Sequence, residues 1–258
     1  MTCQDEDAEG RGRSAPDVGL RDAIHYHGRK AARAKSEERR RRILDAALNI
    51  AAREGVRGIK HRSVAREAGV PLASTTYYFR DINELISDAF MHFAERSQLA
   101  LDDFYDTLNQ CVDRARQRGD LVTRAGRVRV ADDIAELVSD FLIHRFRYHK
   151  GSVLTEQVFL VEASRNLDLE QLARYYRSAW SGGLERILQR LETAHPKRDA
   201  TLLISVVSGM GFDGLLFSDQ FNPTFLRESL ARVFRLMMGV GAAGTEVTTA
   251  EPHWASSS

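Results

Sequence analysis

The sequence has little of what stabilises secreted or β-rich proteins. It contains only two cysteines, Cys3 and Cys111, which are too few for a disulfide framework and form no CxxC pair. Proline is rare, with five residues in 258, and no segment shows a sustained alternation of apolar and polar residues. These shortages exclude a disulfide-rich domain and argue against a fold built from strands.

Long apolar runs are also scarce. The longest, from Leu202 to Phe217, is interrupted by Asp213 and is shorter than the roughly 20 residues that cross a bilayer. The N-terminus, MTCQDEDAEG, is acidic and lacks the apolar stretch of a secretion signal. We therefore expect a soluble, cytoplasmic protein with no membrane partner.

The charge is unevenly distributed along a chain of ordinary globular composition. The net charge is only +1, yet residues 29–80 hold fourteen Lys and Arg against five Asp and Glu. Residues 1–28 hold three Arg against six acidic residues, and the remainder is mildly acidic. A basic head on an acidic body suits a protein that contacts a polyanion, although clustered arginines also occur on ordinary solvated surfaces.

Apolar residues recur at helical spacing over most of the chain, which predicts an all-α fold. Residues 1–35 and 240–258 lack this period and are predicted to be a disordered arm and tail. A head over 36–80 and a body over 81–239 are the predicted domains. RGDLVTRAGR is predicted to be a loop. The expected helices span about 36–54, 61–68, 71–79, 82–117 (in one or two pieces), a segment ending near Gly151, 152–165, 168–193, 197–218 and 223–238.

A Gly-Val-Pro corner joins the two short helices of the head. Gly69 stands where a left-handed residue ends a helix, and Pro71 suits the first turn of the next. The corner therefore predicts a helix-turn-helix. The second helix is rich in Ser, Thr and Tyr, which are poor helix formers but are able to contact base edges and phosphates. A plain pair of helices with a polar outer face is an equal alternative on these residues alone.

The stretch from Ile43 to Leu85, ILDAALNIAAREGVRGIKHRSVAREAGVPLASTTYYFRDINEL, resembles the N-terminal domain of the TetR family of bacterial transcriptional regulators. The resemblance implies a three-helix DNA-binding head and a C-terminal helical bundle for ligand binding and dimerisation. Two departures concern phosphate contacts: Lys60 replaces the usual Ser or Thr cap, and Ile82 replaces a lysine, for which Arg80 is the expected substitute. The matching residues are Ile43, Ala46, Ala47, Gly55, Val64, Ala65, Ala68, Gly69, Val70, Tyr78, Phe79 and Leu85.

The resemblance also implies which residues contact double-stranded DNA. The second short helix would enter the major groove, and the start of the preceding helix would follow the phosphate backbone. The basic residues from Arg29 to Arg42 are candidates for non-specific or minor-groove contacts. Thr76, on the same helix, is a further expected DNA contact. Expected base contacts are Leu72, Ala73, Ser74, Thr75 and Tyr77; expected backbone contacts are Lys60, His61, Arg62, Ser63, Tyr78 and Arg80.

A GxGxxG motif at Gly209, Gly211 and Gly214 raises a different possibility. A dinucleotide site needs this motif within a βαβ unit, and no second strand follows Gly214. A nucleotide-dependent enzyme is thus a weak alternative, and a helix with small residues on its surface is favoured. The resemblance implies that the helices at about 197–218 and 223–238 pair with their copies in a homodimer. The second carries an apolar stripe of Leu226, Leu230, Val233 and Met237, which could instead pack within one chain.

The body is expected to enclose a small, partly apolar effector. No catalytic or metal-binding pattern is present, so neither an enzyme nor a cofactor is expected. The resemblance implies a repressor that an effector releases from a palindromic operator; a helical interaction module without a DNA role is the third alternative. Candidate pocket residues are Phe141, His144, Tyr148, Glu156, Phe159, Trp180 and Asp213.

Overall fold

A computed structural model describes residues 24–29, 34–217 and 221–241. These ranges form nine α-helices and one short 3-10 turn at Val56–Gly58, with no strand, which confirms the all-α prediction. Most of the predicted arm and tail lies outside the described residues. The helices are α1 (Ala34–Glu54), α2 (His61–Ala68), α3 (Leu72–Tyr78), α4 (Ile82–Gln117), α5 (Arg124–Tyr148), α6 (Lys150–Ala163), α7 (Leu167–Arg190), α8 (Pro196–Leu216) and α9 (Pro223–Met237).

The helix boundaries follow the sequence pattern closely. Helix α4 is continuous over 36 residues rather than broken. The predicted RGDLVTRAGR loop is shorter than expected, because Thr123 caps α5. Its side chain accepts a hydrogen bond from the Gly126 N–H at 3.0 Å, so the helix begins at Arg124.

The described chain divides into two compact units. The first contains the residues up to Ile50 together with 56–98 and 159–179, and the second contains 51–55, 99–158 and the residues from Trp180 onward. This division differs from the predicted domain boundary at residue 80.

Aromatic packing explains why 159–179 belong to the first unit. Phe159 stacks on Phe90 with ring centroids 5.0 Å apart, and Tyr176 contacts Phe93 at 5.8 Å. All four rings are buried, and burial of such large apolar surfaces is a main source of stability. The first unit therefore extends beyond the predicted head of residues 36–80 and includes the start of α4, the end of α6 and the start of α7.

In the second unit, helix α9 packs along α5. Arg235 forms two hydrogen bonds of 2.7 Å with Asp132, and Arg227 bonds Asp140 at 2.6 Å. Leu226 and Leu230 are buried against this unit. The predicted dimer stripe is therefore wrong for these two residues, because an apolar face that is already covered within one chain cannot also cover a copy.

The GxGxxG motif lies entirely within helix α8. A side-chain carbon added at Gly211 or Gly214 would be 3.5–3.6 Å from the Phe146 ring, whereas one added at Gly209 would meet no atom within 4 Å. A dinucleotide-binding motif must form a turn between a strand and a helix. The motif is therefore not a dinucleotide-binding turn, which removes the basis of the nucleotide-enzyme alternative; Gly211 and Gly214 instead make room for the Phe146 ring.

Helix α8 has an unusually apolar surface. Among the described residues, it is the one helix that is long and apolar enough to cross a membrane. One such helix is weak evidence for a membrane span. Only 22% of the most apolar 18-residue stretch of this helix is buried within the chain. Three large apolar side chains on it, Leu202, Phe212 and Leu216, are at least half exposed.

Candidate nucleic-acid interface

The turn between α2 and α3 has the geometry of a tight helix-turn-helix corner. Gly69 adopts the left-handed conformation (φ 61°, ψ 42°), which glycine reaches at no steric cost. The Val70 N–H donates to the Ala65 carbonyl at 3.0 Å, and Arg42 donates to the Ala68 carbonyl at 2.7 Å. These bonds satisfy carbonyls that a helix end leaves open. The predicted corner is confirmed.

The start of α2 is capped from inside the helix. Lys60 carries no capping side-chain bond, but its N–H donates to Ser63 Oγ at 3.0 Å. Ser63 is half-buried and its hydroxyl also lies 2.9 Å from the Gly58 carbonyl, so its first role is structural. Lys60 and Arg62 are exposed beside the positive end of the helix dipole, which is a favourable place for phosphate.

Helix α3 presents one face to solvent. Leu72, Ala73, Thr76 and Tyr77 are exposed, and their spacing places them along one side of a helix. Tyr77 is 54% exposed. Ser74 is half-buried at the edge of this face. This surface is available for base edges in a major groove, and all five residues remain predicted DNA contacts.

Two residues of α3 point the other way and require correction. Thr75 is fully buried, and its hydroxyl donates to the Leu72 carbonyl at 2.8 Å, so it cannot contact bases. Tyr78 is 4% exposed, and its hydroxyl lies 2.7 Å from Ser36 Oγ. Both residues carry hydroxyl groups that suit DNA contacts, but their i, i+3 spacing places both on the inner face. They anchor the helix rather than contact DNA.

Replacing Thr75 by alanine is therefore expected to lower stability rather than to change sequence preference. The substitution removes a buried methyl group, at a cost of about 1 kcal/mol. Urea unfolding measures this loss, and binding to a set of operator variants measures preference. Thr76→Ala, on the exposed face, is the matched control and should show the reverse pattern. An altered base preference in Thr75→Ala at unchanged stability would contradict the structure.

Arg80 follows α3 and precedes α4. Its backbone N–H donates to Glu84 Oε2 at 2.8 Å, and Asp81 caps α4 by accepting from the Glu84 N–H at 2.9 Å. The Arg80 side chain is 86% exposed, with a single 3.2 Å contact to Glu84. An exposed ion pair of this kind is weak, so Arg80 is available for the predicted phosphate contact.

A buried carboxylate that the sequence analysis did not identify connects α4 to α1 and to residues 27–28. Asp88 on α4 is fully buried, and Arg40 on α1 donates to its Oδ2 at 2.6 Å. The backbone N–H groups of His27 and Gly28 donate to the two carboxylate oxygens at 2.7 and 2.9 Å. No motif reveals this arrangement, because Asp88 and its partners lie far apart in the chain.

Burial shifts the pKa values of two titratable groups of the first unit. It lowers the pKa of His92, whose Nε2 lies 3.2 Å from Asp45; this carboxylate acts in the opposite direction. Burial also raises the pKa of the Tyr26 hydroxyl, and the hydrogen bond it donates to Glu95 at 2.6 Å adds to the rise. Burial therefore favours the neutral form of both side chains.

A cleft of about 610 Å³ lies in the first unit, beside the start of α2. Two of its lining residues carry buried polar atoms without a hydrogen-bond partner, Ser87 Oγ and His61 Nδ1. Such atoms favour water or a polar ligand group. Lys60 and His61, both predicted DNA contacts, also line the cleft.

The predicted pocket residues fall into three separate settings. Phe159 is fully buried in the aromatic core of the first unit. His144, Tyr148 and Asp213 are exposed, and the His144 Nε2 lies 3.2 Å from the Nε2 of His149. The prediction that these four residues line an enclosed pocket is therefore wrong, because one is part of the packed core and three are on the surface. Within the described ranges, no group of three or more His, Cys, Asp or Glu is placed to hold a metal ion.

Phe141, Glu156 and Trp180 come together in the second unit around a residue that the sequence analysis missed. Arg145 pairs with Glu156 at 2.6 Å, and its guanidinium lies 5.8 Å from the Phe141 ring and 5.5 Å from the Trp180 ring. Both charged side chains are more than four-fifths buried. A largely buried ion pair between aromatic rings is costly to desolvate, which distinguishes it from an ordinary surface pair.

Comparisons with known proteins agree with this architecture. Residues 129–239 match the family described as "Tetracyclin repressor-like, C-terminal domain". The HTH-type transcriptional repressor KstR of Mycolicibacterium smegmatis is 37% identical over an alignment covering 34% of this chain and 48% of that protein. The alignment thus spans about half the length of that relative.

Two solved structures share the fold. A TetR family member from Streptomyces coelicolor A3 is 26% identical with a TM-score of 0.51, covering 76% of this chain and 98% of that one. A transcriptional regulator from Rhodococcus sp. Rha1 has a TM-score of 0.54 over 78% of this chain and 96% of that one; at 20% identity it shows the fold alone.

The corner and the helical body define an all-α protein of the helix-turn-helix class. Within this class, the C-terminal match and the Streptomyces structure both indicate similarity to the TetR family of transcriptional regulators.

Proposed function

We propose that the protein is a dimeric DNA-binding regulator, not an enzyme, that represses from a palindromic operator and is released by a small-molecule effector. The observation that carries this proposal is the exposed face of α3, held outward by Gly69 and by the inward anchors Thr75 and Tyr78. An exposed recognition helix beside the cationic Lys60, Arg62 and Arg80 provides base contacts and phosphate contacts together.

Binding to the DNA upstream of the protein's own gene tests the proposal. The purified protein is expected to retard this fragment at low ionic strength and to bind a shuffled fragment of the same composition at least 10³-fold more weakly, a typical ratio for specific over non-specific binding (roughly 10³–10⁷). Equal affinity for both fragments, or no binding to either, would support the interaction-module alternative instead.

We place the dimer interface on the exposed apolar side of α8. Leu202, Gly209 and Leu216 are spaced by seven residues, so they lie on one side of the helix, and Gly209 leaves space for close approach. Phe225 and Leu236 are exposed apolar residues of α9, away from its buried stripe, and are further candidates for this interface. Two recognition helices would read half-sites about 34–36 Å apart, or a multiple of this distance.

The substitution Leu216→Glu is expected to dissociate this dimer. Each protomer would then bury an unpaired carboxylate in an apolar interface, which costs several kcal/mol, so the dimer dissociation constant should rise about 100-fold or more. Sedimentation equilibrium measures the change. Leu167→Glu is the matched control, because Leu167 is 84% exposed and lies outside α8. A Leu216→Glu protein that remains dimeric would show that another surface forms the interface.

We place the effector beside Arg145, Glu156, Phe141 and Trp180 in the second unit. The rings offer apolar contact, and the ion pair offers a polar group that a charged ligand can replace. Effector and DNA would weaken each other's binding by the same factor, since the coupling free energy is reciprocal.

Trp180 provides a direct readout of this site. The chain has only two tryptophans, so in a Trp254→Phe protein the fluorescence comes from Trp180 alone. Titration with a panel of partly apolar acids and amines, with and without operator DNA, measures both affinities. A compound that changes the fluorescence but binds the free and DNA-bound protein equally is not the effector.

A further inference from the structure

We propose that residues 24–29, here called the N-terminal segment, are clamped onto the head by Asp88 and hold Arg29 beside Tyr77 as an additional contact to DNA phosphates. This inference rests on the proposed function, because it assigns a further residue to the same DNA surface. Its basis is the set of contacts that the N-terminal segment makes with α1, α3 and α4.

The clamp is a dense set of hydrogen bonds around one carboxylate. Asp88 accepts from the backbone N–H groups of His27 and Gly28 and from Arg40, so both of its oxygens have partners. These are charge-assisted bonds away from solvent, which are stronger than neutral ones. The Tyr26 hydroxyl adds a bond to Glu95, and the Arg40 guanidinium lies 4.4 Å from the Tyr26 ring centroid.

The chain approaches the head too closely at Gly28 for any other residue. A Cβ at this position would be 2.8 Å from Asp88 Oδ2 and 2.8 Å from the Phe79 ring. Both neighbours are fully buried, so neither has room to move aside. Glycine is therefore required for the N-terminal segment to reach the carboxylate.

The same contacts determine where Arg29 lies. Its backbone N–H donates to the Tyr78 carbonyl at 2.9 Å, which satisfies a carbonyl at the end of α3. Its guanidinium lies 4.4 Å from the centroid of the Tyr77 ring, and both side chains are exposed. Stacking on the ring leaves the charge and the in-plane N–H donors available, and an ordered guanidinium is well suited to phosphate.

The test compares three variants of the full chain. Arg29→Ala removes the cation, Gly28→Ala displaces the N-terminal segment, and Arg124→Ala removes an exposed charge from the start of α5 as the control. Duplex binding is measured on the operator and on random DNA over a range of salt concentrations. Hydrogen exchange of the His27 and Gly28 amides in the free protein reports the clamp without any DNA.

Arg29→Ala is expected to weaken binding to both duplexes about tenfold and to reduce the salt slope by about two, one phosphate contact for each protomer of the dimer. Gly28→Ala should reproduce this loss, whereas Arg124→Ala should bind as the unmodified protein does. The two amides should exchange slowly in the unmodified protein and rapidly in Gly28→Ala.

Failure of the clamp and failure of DNA binding give different results. Rapid exchange of both amides in the unmodified protein overturns the clamp even if DNA binds. Unchanged duplex binding in Arg29→Ala, or a loss on the operator alone, overturns the phosphate role of Arg29. Protected amides in a protein that binds no duplex overturn the proposed function, and with it that role, while the clamp itself stands.

Discussion

Replacement of Asp88 by alanine is expected to lower the free energy of unfolding by about 3–5 kcal/mol, the usual cost of removing one partner from a buried ion pair. Arg40 is only 4% exposed and would keep its charge without its carboxylate. The N–H groups of His27 and Gly28 would also lose their acceptor. Urea unfolding at neutral pH measures the loss.

The control for this substitution is Glu170→Ala. Glu170 also pairs with an arginine of the first unit, Arg174, but both side chains are solvent-exposed. An exposed pair at i, i+4 contributes only about 0.3–0.5 kcal/mol. If Asp88→Ala lowered the free energy of unfolding by less than 1 kcal/mol, the Asp88 carboxylate would not be a major source of stability.

Operator affinity is expected to fall at least about 10³-fold between 50 and 200 mM salt. Lys60, Arg62 and Arg80 are exposed around α2 and α3, and a dimer carries two copies of each. Each neutralised phosphate contributes about −0.9 to the slope of log affinity against log salt, so these six contacts alone predict a slope of roughly −5, to which the proposed Arg29 contacts would add about −2. Fluorescence anisotropy of a labelled duplex over this range gives the slope.

A single charge removal tests which residues contribute to this slope. Arg62→Gln should reduce its magnitude by about two, one contact for each head. Arg124→Gln, which removes the same charge from the second unit, should leave it unchanged. A slope near zero for the unmodified protein would show that phosphates are not its ligand, and equal effects of the two variants would show that only net charge matters.

The sequence predicted the helices and the corner well because both depend on neighbouring residues. Ile43, Ala47 and Ile50 recur at helical spacing and are buried on one face of α1. Gly69 adopts the left-handed conformation that its position suggested. Such features are decided within a few residues, so the local pattern contains the information that specifies them.

The errors at the site concern the direction in which a helical residue points. The hydroxyl groups of Thr75 and Tyr78 favour a prediction of DNA contacts, yet both residues are buried. Their i, i+3 spacing and the adjacent Phe79 form an inward stripe, and this signal was present in the sequence. Hydroxyl groups do not distinguish the two interpretations, because they can bond to other parts of the protein as readily as to DNA.

Other features had no local signal. Leu226 and Leu230 form the apolar stripe that the sequence showed, but only packing against α5 reveals that one chain already covers it. Arg145 pairs with Glu156 and lies near the ring of Trp180, which is 35 positions further along the chain.

By itself, the sequence determined the all-α class, the helix boundaries and the corner at Gly69, because backbone conformation follows from short-range sterics and from periodic burial. Tertiary structure alone decided which side of α3 faces outward, which apolar faces remain uncovered and which groups surround Asp88. Those outcomes depend on surfaces that are brought together from distant parts of the chain, and a residue's own type does not specify its distant neighbours.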